Sequence, residues 1–200
     1  MRKLLFPIFA LLLTFNLKAQ VNLSSYTVGG EQKQVLINAK DDGSYTLYID
    51  MGSADKIHKD VGISVNSETH KELLLALTKA KKKFSEWTKV AKENNVTDLY
   101  KKMDFSVRVN CFFMYYDKWK FDYDKILDFH FMVYSSGGKT KYALILSTGE
   151  LASSENEYMT MDGISSIFMT TESIQGFMDS ISIEKVNSFM SKPKTEDLFK

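Results

Sequence analysis

The sequence is poor in the residues that define several common protein classes. It has one cysteine and two prolines in 200 residues, and a lone cysteine cannot close an internal disulfide, which excludes a disulfide scaffold. The 26 basic residues nearly balance the 25 acidic ones, and only Arg2 and Arg108 among the basic residues are arginines. Because polyanion binding needs a positive field and favours the arginine fork, we expect no binding to nucleic acid.

The remaining composition is typical of a folded domain. Hydrophobic residues make up 44% of the chain and aromatic residues 13%, which is too many for a disordered chain. Residues 21–190 contain no linker-like stretch and no internal repeat, so we interpret them as one domain. We expect the charged tail, residues 191–200, to be frayed.

The first nineteen residues have the layout of a secretory signal peptide. A positive start, Met1–Lys3, precedes an apolar run of 12 residues over 4–15, and a polar segment ends on Ala19. A membrane-spanning helix needs about 20 apolar residues, so the run predicts cleavage rather than an anchor. We predict removal of residues 1–19, export to the periplasm or the cell exterior, and no stable membrane anchor afterwards.

Two alternating segments, residues 34–39 and 44–49, predict the first hairpin, and the loop between them decides its register. A two-residue turn at Asp42–Gly43 would mix apolar and polar partners. A three-residue loop with Gly43 in the left-handed region instead pairs Ile37 with Leu47 on one face. We therefore predict the three-residue loop.

Alternating apolar residues predict further strands along the chain. They cover residues 61–65, 105–115, 127–133, 142–146, 158–161 and 164–169. If Ser136 and Gly137 are the central turn residues of the hairpin between the third and fourth of these segments, Phe131 faces Tyr142. The last two segments are predicted to form a hairpin around Asp162–Gly163.

One long amphipathic helix is predicted between the early and the late strands. Thr69 and Glu72 form a capping-box pair, and Asn94–Asn95 can end a helix in a left-handed turn, which places the helix over 70–93. Its apolar stripe follows the helical spacing of three and four residues and comprises Leu73, Leu77, Ala80, Phe84, Trp87 and Ala91.

These elements predict an α+β fold. We expect a mainly antiparallel meander sheet of about seven to eight strands packed on the long helix. Apolar stripes at 174–181 and 186–190 predict short C-terminal helices, either continuous or separate. A half-open β-barrel around the helix is the alternative architecture.

The sequence carries no recognisable catalytic or metal-binding motif. Cys111 and His130, a candidate nucleophile and base, are predicted to lie on opposite faces of the sheet. Arg108 is expected to form a structural ion pair. An acidic stretch lacks the glycine and the closing glutamate of a calcium loop and is expected to pair with neighbouring lysines; it comprises Asp117, Asp122, Asp124 and Asp128. We predict no catalytic residue, no metal site and no cofactor.

Three aromatic residues form the candidate binding site. Trp119, Phe121 and Tyr123 alternate with charged residues, so their rings are predicted to project from one side of a strand. Exposed rings can stack on sugar rings or anchor a protein partner. In the alternative interpretation, the C-terminal helices cover this face and bury it as a small satellite core.

Three functional hypotheses follow from these observations. The first is an exported, non-catalytic module that binds a glycan, a small molecule or a protein through Trp119, Phe121 and Tyr123. The second is an exported hydrolase whose site residues are dispersed along the sequence. The third is a self-associating protein, such as a homodimer that pairs through an open sheet edge. The lack of a catalytic motif favours the first and the third.

Overall fold

A computed structural model of the chain describes residues 20–191. The predicted signal peptide, residues 1–19, lies outside the described residues, as does the predicted tail beyond Ser191. Along the described part the chain forms these elements: β1 (Val21–Val28), β2 (Glu31–Ala39), β3 (Tyr45–Met51), β4 (Val61–Asn66), α1 (Ser67–Glu93), β5 (Leu99–Tyr115), β6 (Lys118–Ser136), β7 (Lys139–Ser147), β8 (Leu151–Ser153), β9 (Asn156–Met161), β10 (Ser165–Phe168), α2 (Thr171–Ser180) and α3 (Ile183–Met190).

Eight of these strands form one antiparallel sheet in the order β1-β2-β3-β4-β5-β6-β7-β10. Neighbours from β1 to β7 follow one another along the chain, which makes the sheet a meander. Strands β8 and β9 form a separate two-stranded sheet. The long helix α1 and the short helices α2 and α3 complete the α+β fold, so the predicted fold class is confirmed.

The sheet is not closed into a barrel. Its two edge strands approach each other where Tyr26 of β1 stacks on Phe168 of β10, with 6.5 Å between ring centroids. Phe177 of α2 contacts both rings, at 4.5 Å and 5.4 Å. Helix α2 therefore bridges the gap between the sheet edges with an aromatic contact instead of a strand ladder.

The sheet has an inner face, which packs on the helices, and an outer face on the opposite side. Alternate residues of each strand project to the inner face, as the period of two requires. Phe131 on this face lies under α1, in edge contact with Phe84 and Trp87. The predicted helical stripe is therefore the side of α1 that faces the core, with Trp87 only partly buried.

The predicted register of the first hairpin is confirmed. Ile37 lies opposite Leu47 in β2 and β3. The backbone N–H of Lys40 donates to the carbonyl of Ser44 at 2.8 Å, and Gly43 has φ of 82°. If the loop were one residue longer or shorter, the apolar side chains of one strand would point away from the core. The burial of these side chains therefore determines the register.

The predicted turn between β6 and β7 is wrong by one position. Gly137 and Gly138 are the central residues, with φ of 61° and 72°, and Phe131 faces Leu144 instead of Tyr142. A two-residue hairpin turn of this kind requires positive φ at both positions, which glycine adopts without steric cost. The register shifts by two residues and leaves the buried face unchanged.

Helix α1 begins one turn earlier than the predicted range. Asn66 is the cap: its side-chain oxygen accepts from the backbone N–H groups of Glu68 at 3.1 Å and Thr69 at 2.9 Å. Asparagine caps a helix at least as well as threonine, so the capping-box pair beginning at Thr69 is not used. The predicted end is confirmed, because Asn95 adopts φ of 51°.

The predicted hairpin around Asp162–Gly163 is wrong. Strand β9 pairs with β8, whereas β10 pairs with β7 and places Phe168 opposite Leu144. That pairing buries the Phe168 ring in the core. The C-terminal helices are separate, because Ser182 caps α3 by accepting from the backbone N–H of Lys185.

Candidate functional site

The three aromatic residues predicted from the sequence lie near the start of β6. Trp119 is 47% exposed and Tyr123 is 57% exposed, whereas Phe121 is half-buried. The rings of Phe121 and Tyr123 are nearly parallel, with an interplanar angle of 7° and 6.4 Å between centroids. They therefore present neighbouring rings on the same side of the strand, as the alternation predicts.

Two further rings extend this surface across the sheet. Phe112 of β5 lies opposite Phe121, and Trp119 meets its ring edge-on at 5.4 Å. Tyr48 of β3 contacts the other side of Phe112 at 5.9 Å. We call Tyr48, Phe112, Trp119, Phe121 and Tyr123 the outer aromatic cluster. Its floor is Phe112, which is buried.

Gly62 of β4 makes room for the floor of the cluster. It lies opposite Phe112 in the ladder, and a Cβ atom built on Gly62 would overlap the Phe112 ring and the carbonyl oxygen of Ile49. A glycine in a strand interior often marks such a close approach. The Phe112 ring therefore crosses β4 and reaches Tyr48 two strands away.

The C-terminal helices do not cover the outer aromatic cluster. Helices α2 and α3 pack against β1, β10 and α1, on the inner side of the molecule. The apolar stripe of α2 is used there, with Ile174 and Phe177 fully buried. The alternative interpretation, in which these helices bury the Trp119 face, is therefore wrong.

The row of aromatic residues Trp119, Phe121 and Tyr123 ends at a bulge in β6. Cys111 lies opposite Asp122 and Val109 lies opposite Lys125, so Tyr123 and Asp124 together face the single residue Asn110. Asp124 adopts φ of 56°, and its backbone N–H donates to the Asn110 side chain at 3.2 Å. Bulges of this type redirect a side chain and increase the local twist.

Beyond the bulge, the outer face opens into a polar cavity of about 280 Å³. We call it the polar cavity. It lies where β4 leaves β5 to enter α1, since the β4–β5 ladder ends at Ser64 and Asn110. Side chains from four strands line it: Thr46, Ser64, Asn66, Arg108, Asn110 and Asp124.

The charges beside the polar cavity compensate each other. Arg108 donates to the Asp124 carboxylate at 2.7 Å, which confirms the predicted ion pair of Arg108. Both side chains are largely exposed, so this pair adds little to stability. Two other acids of the predicted stretch also have partners, Lys125 for Asp122 at 3.1 Å and Lys102 for Asp128 at 2.6 Å.

Cys111 and His130 do not form a site. Cys111 lies in the core on the inner face, where burial first and the Asp122 charge second raise the pKa of its thiol to about 12. A thiol with that pKa is a poor nucleophile near neutral pH. His130 projects to the outer face, where its ring stacks on Tyr100. The prediction that they occupy opposite faces is confirmed.

The structure also contains a hydrogen-bonded pair of Asp55 and His58 that was not predicted from the sequence. In the loop between β3 and β4, Asp55 accepts from His58 Nδ1 at 3.0 Å and from the backbone N–H groups of Ile57 and His58. These donors, the His58 side chain foremost, hold the pKa of Asp55 well below its usual range. The His58 ring also stacks on Tyr115, so the pair fastens this loop to β5. The three-residue spacing of the two side chains was the available signal.

No cluster of three or more potential metal ligands occurs within residues 20–191. A metal site built from side chains needs at least three converging donors in most proteins. Over the same residues, no helix has the length and apolar character needed to cross a membrane.

No protein-family description matches the chain, and no significant similarity connects it to a curated protein or to a solved structure.

Proposed function

We propose that the protein is an exported, non-catalytic binding module that holds its ligand on the outer aromatic cluster. The proposal is carried by one observation: Trp119 and Tyr123 are about half exposed, at 47% and 57%, beside partly buried rings on a rigid sheet. Large aromatic side chains on rigid strands lose little conformational entropy on binding and provide much contact area.

The support for export comes from residues 1–19, whose charged start, short apolar run and small final residue have the layout of a signal peptide. N-terminal sequencing of the protein recovered outside the cytoplasm tests this part. We expect the exported chain to begin at Gln20. An exported chain that still carries Met1 would contradict it.

The binding surface is tested by comparing the exported protein with two aromatic variants on a glycan array and a peptide array. We expect the wild type to bind members of one array. Trp119→Ala is expected to lose that binding, because it removes an exposed ring face. Tyr100→Ala is the matched control: Tyr100 is 60% exposed on the same strand as Phe112 but far along it, and the variant is expected to bind normally.

Two further measurements show whether Trp119 has a binding role or a structural role. The Trp119→Ala variant should unfold within about 1 kcal/mol of the wild type, because the ring is half exposed. A loss of several kcal/mol would make Trp119 a core residue and contradict the proposal. Binding to neither array, or release of shortened glycan chains by the purified protein, would also overturn it.

A further inference from the structure

The polar cavity and the outer aromatic cluster are parts of one continuous surface. Ser64, which lines the cavity, lies opposite Tyr48 in the β3–β4 ladder. Asn110 precedes Phe112 by two residues on the same side of β5, and Tyr123 is followed directly by Asp124. Residues paired across strands or separated by two along a strand are immediate neighbours on a sheet face. A single extended ligand can therefore contact both features.

The polar cavity offers both hydrogen-bond donors and acceptors. Ser64 is 9% exposed and lines the cavity. Its hydroxyl can donate a hydrogen bond to a ligand bound there or accept one from it. Asn110 uses its side-chain oxygen for the Asp124 N–H, which leaves its amide N–H₂ as a donor.

The balance of charge in the cavity favours an uncharged ligand. The positive charge of Arg108 is compensated by Asp124 at 2.7 Å, and among residues 20–191 no second cation lines the cavity. A phosphate or sulfate group would meet the Asp124 carboxylate, whereas an ammonium group would meet Arg108. A ligand that carries hydroxyl groups can donate to Asp124 and accept from Arg108 and Asn110 without a charge penalty.

The neighbouring rings favour a ligand with flat, weakly polar faces. An aromatic ring is negative over its face and attracts the weakly positive C–H groups that cover one side of a sugar ring. Phe121 and Tyr123 are nearly parallel, so consecutive sugar units can stack along the row. A proline-rich peptide also docks on aromatic grooves, but it presents few groups to a cavity lined with hydroxyl, amide and carboxylate side chains.

From this juxtaposition we infer that the ligand is a neutral oligosaccharide, with sugar rings stacked on Trp119, Phe121 and Tyr123 and one sugar unit hydrogen-bonded in the polar cavity. This inference rests on the proposed function. It adds the polar cavity as a second part of the site and names Ser64 and Asn110 as residues that determine specificity.

The test measures binding of the exported protein to cello-, chito- and malto-oligosaccharides by titration calorimetry. Asn110→Asp keeps the side-chain oxygen that accepts from Asp124 but replaces the amide donor by an acceptor. We expect its affinity for the oligosaccharide bound by the wild type to fall about tenfold or more. Ser64→Ala is expected to lower affinity roughly threefold to tenfold. Ser147→Ala, on the outer face of β7, is the matched control and is expected to bind normally.

The outcomes separate this inference from the proposed function. If Trp119→Ala abolishes oligosaccharide binding while Asn110→Asp and Ser64→Ala bind like the wild type, the polar cavity is not part of the site and the inference fails. The inference also fails if the wild type binds only peptides, or only acidic glycans with affinity that falls as salt is raised. In each of these cases Trp119-dependent binding would still support the proposed function. Thermal unfolding of each variant distinguishes a lost contact from a lost fold.

Discussion

His70 is a buried polar side chain whose contacts fix the tautomer of its neutral ring. Its Nε2 lies 2.5 Å from the carbonyl oxygen of Ile181, which can only accept, so Nε2 carries the hydrogen. Its Nδ1, 2.9 Å from the Tyr45 hydroxyl, is then the acceptor. The neutral ring joins the start of α1 to the junction between α2 and α3, and both ring nitrogens are satisfied.

The pH dependence of stability follows from this arrangement. Burial lowers the pKa of His70 from its ordinary value of 6.5, and the bond to Ile181 opposes the shift. Between pH 6.5 and the lowered pKa, the unfolded chain binds a proton at His70 that the folded chain does not bind. The free energy of unfolding therefore falls as the pH falls through this range. One such group contributes a slope of at most about 1.4 kcal/mol per pH unit.

The His70→Gln variant retains a donor for Ile181 but does not titrate. We therefore expect its free energy of unfolding to depend less steeply on pH than that of the wild type. Urea unfolding of the wild type and the variant at several pH values tests this. Parallel curves between about pH 7 and pH 5 would show that His70 does not supply the slope.

Gly62 is a residue whose missing side chain shapes the outer face. A Cβ atom there would overlap the Ile49 carbonyl oxygen and the Phe112 ring, so Gly62→Ala must displace backbone. We expect a loss of about 1–3 kcal/mol in the free energy of unfolding. Gly149→Ala is the control, because a Cβ atom at Gly149 meets nothing within 4 Å. Equal stability of the two variants in urea would contradict the close approach at Gly62.

At the scale of elements, the cap of α1 gives a direct test between two side chains. Asn66 accepts two backbone N–H groups, whereas Thr69, the cap predicted from the sequence, lies inside the first turn. We expect Asn66→Ala to cost about 1 kcal/mol of unfolding free energy and Thr69→Ala only a few tenths. Thermal unfolding monitored by far-UV circular dichroism measures both. A larger loss for Thr69→Ala would show that the helix begins later.

The elements also show where the sequence is informative about the fold. The β2–β3 register is predictable because a slip of one residue moves every side chain to the other face. The β6–β7 register is not, because both candidate registers keep Phe131 on the buried face and differ only in the turn residues. The partner of β10 depends on strands distant along the chain, and no local pattern encodes such pairing.

Only part of the candidate site is encoded in a local sequence pattern. The alternation of Trp119, Phe121 and Tyr123 predicts a common side of one strand because it is a local pattern. The polar cavity combines Ser64 with Asn110 and Asp124, and α1 separates the first from the other two along the chain. Their proximity follows from β4 and β5 becoming neighbours, so only the structure reveals it.

For the whole molecule, the edges of the sheet bear on self-association. An exposed edge strand is a template for pairing with a second chain. Here the side-chain hydroxyl of Ser24 in β1 donates to the Ser180 carbonyl oxygen at the end of α2 at 2.5 Å, and the Tyr26 ring stacks on Phe168 of β10 across the gap. Helix α2 therefore lies over the place where a strand from another copy would add. This geometry favours binding through the outer face over edge-to-edge pairing.

The contact of Phe177 with both sheet edges predicts that α2 belongs to the cooperative unit of folding. The Phe177 ring is fully buried and contacts Tyr26 and Phe168. We expect Phe177→Ala to lower the free energy of unfolding by about 3–5 kcal/mol, through lost burial and the cavity that remains. Since small domains unfold in one step, Trp fluorescence and far-UV circular dichroism should report the same lowered midpoint.

A matched control comes from the same helix, because Met178 is only half-buried at the edge of the core. Its replacement by alanine removes fewer buried contacts, so we expect a smaller loss of about 1 kcal/mol. The expectation would be contradicted if Phe177→Ala unfolded in two steps. Part of the helical circular dichroism signal would then be lost early, while the Trp fluorescence stayed unchanged. That result would mean that the sheet and α1 are stable without α2, and that the gap between β1 and β10 can open while the outer face stays folded.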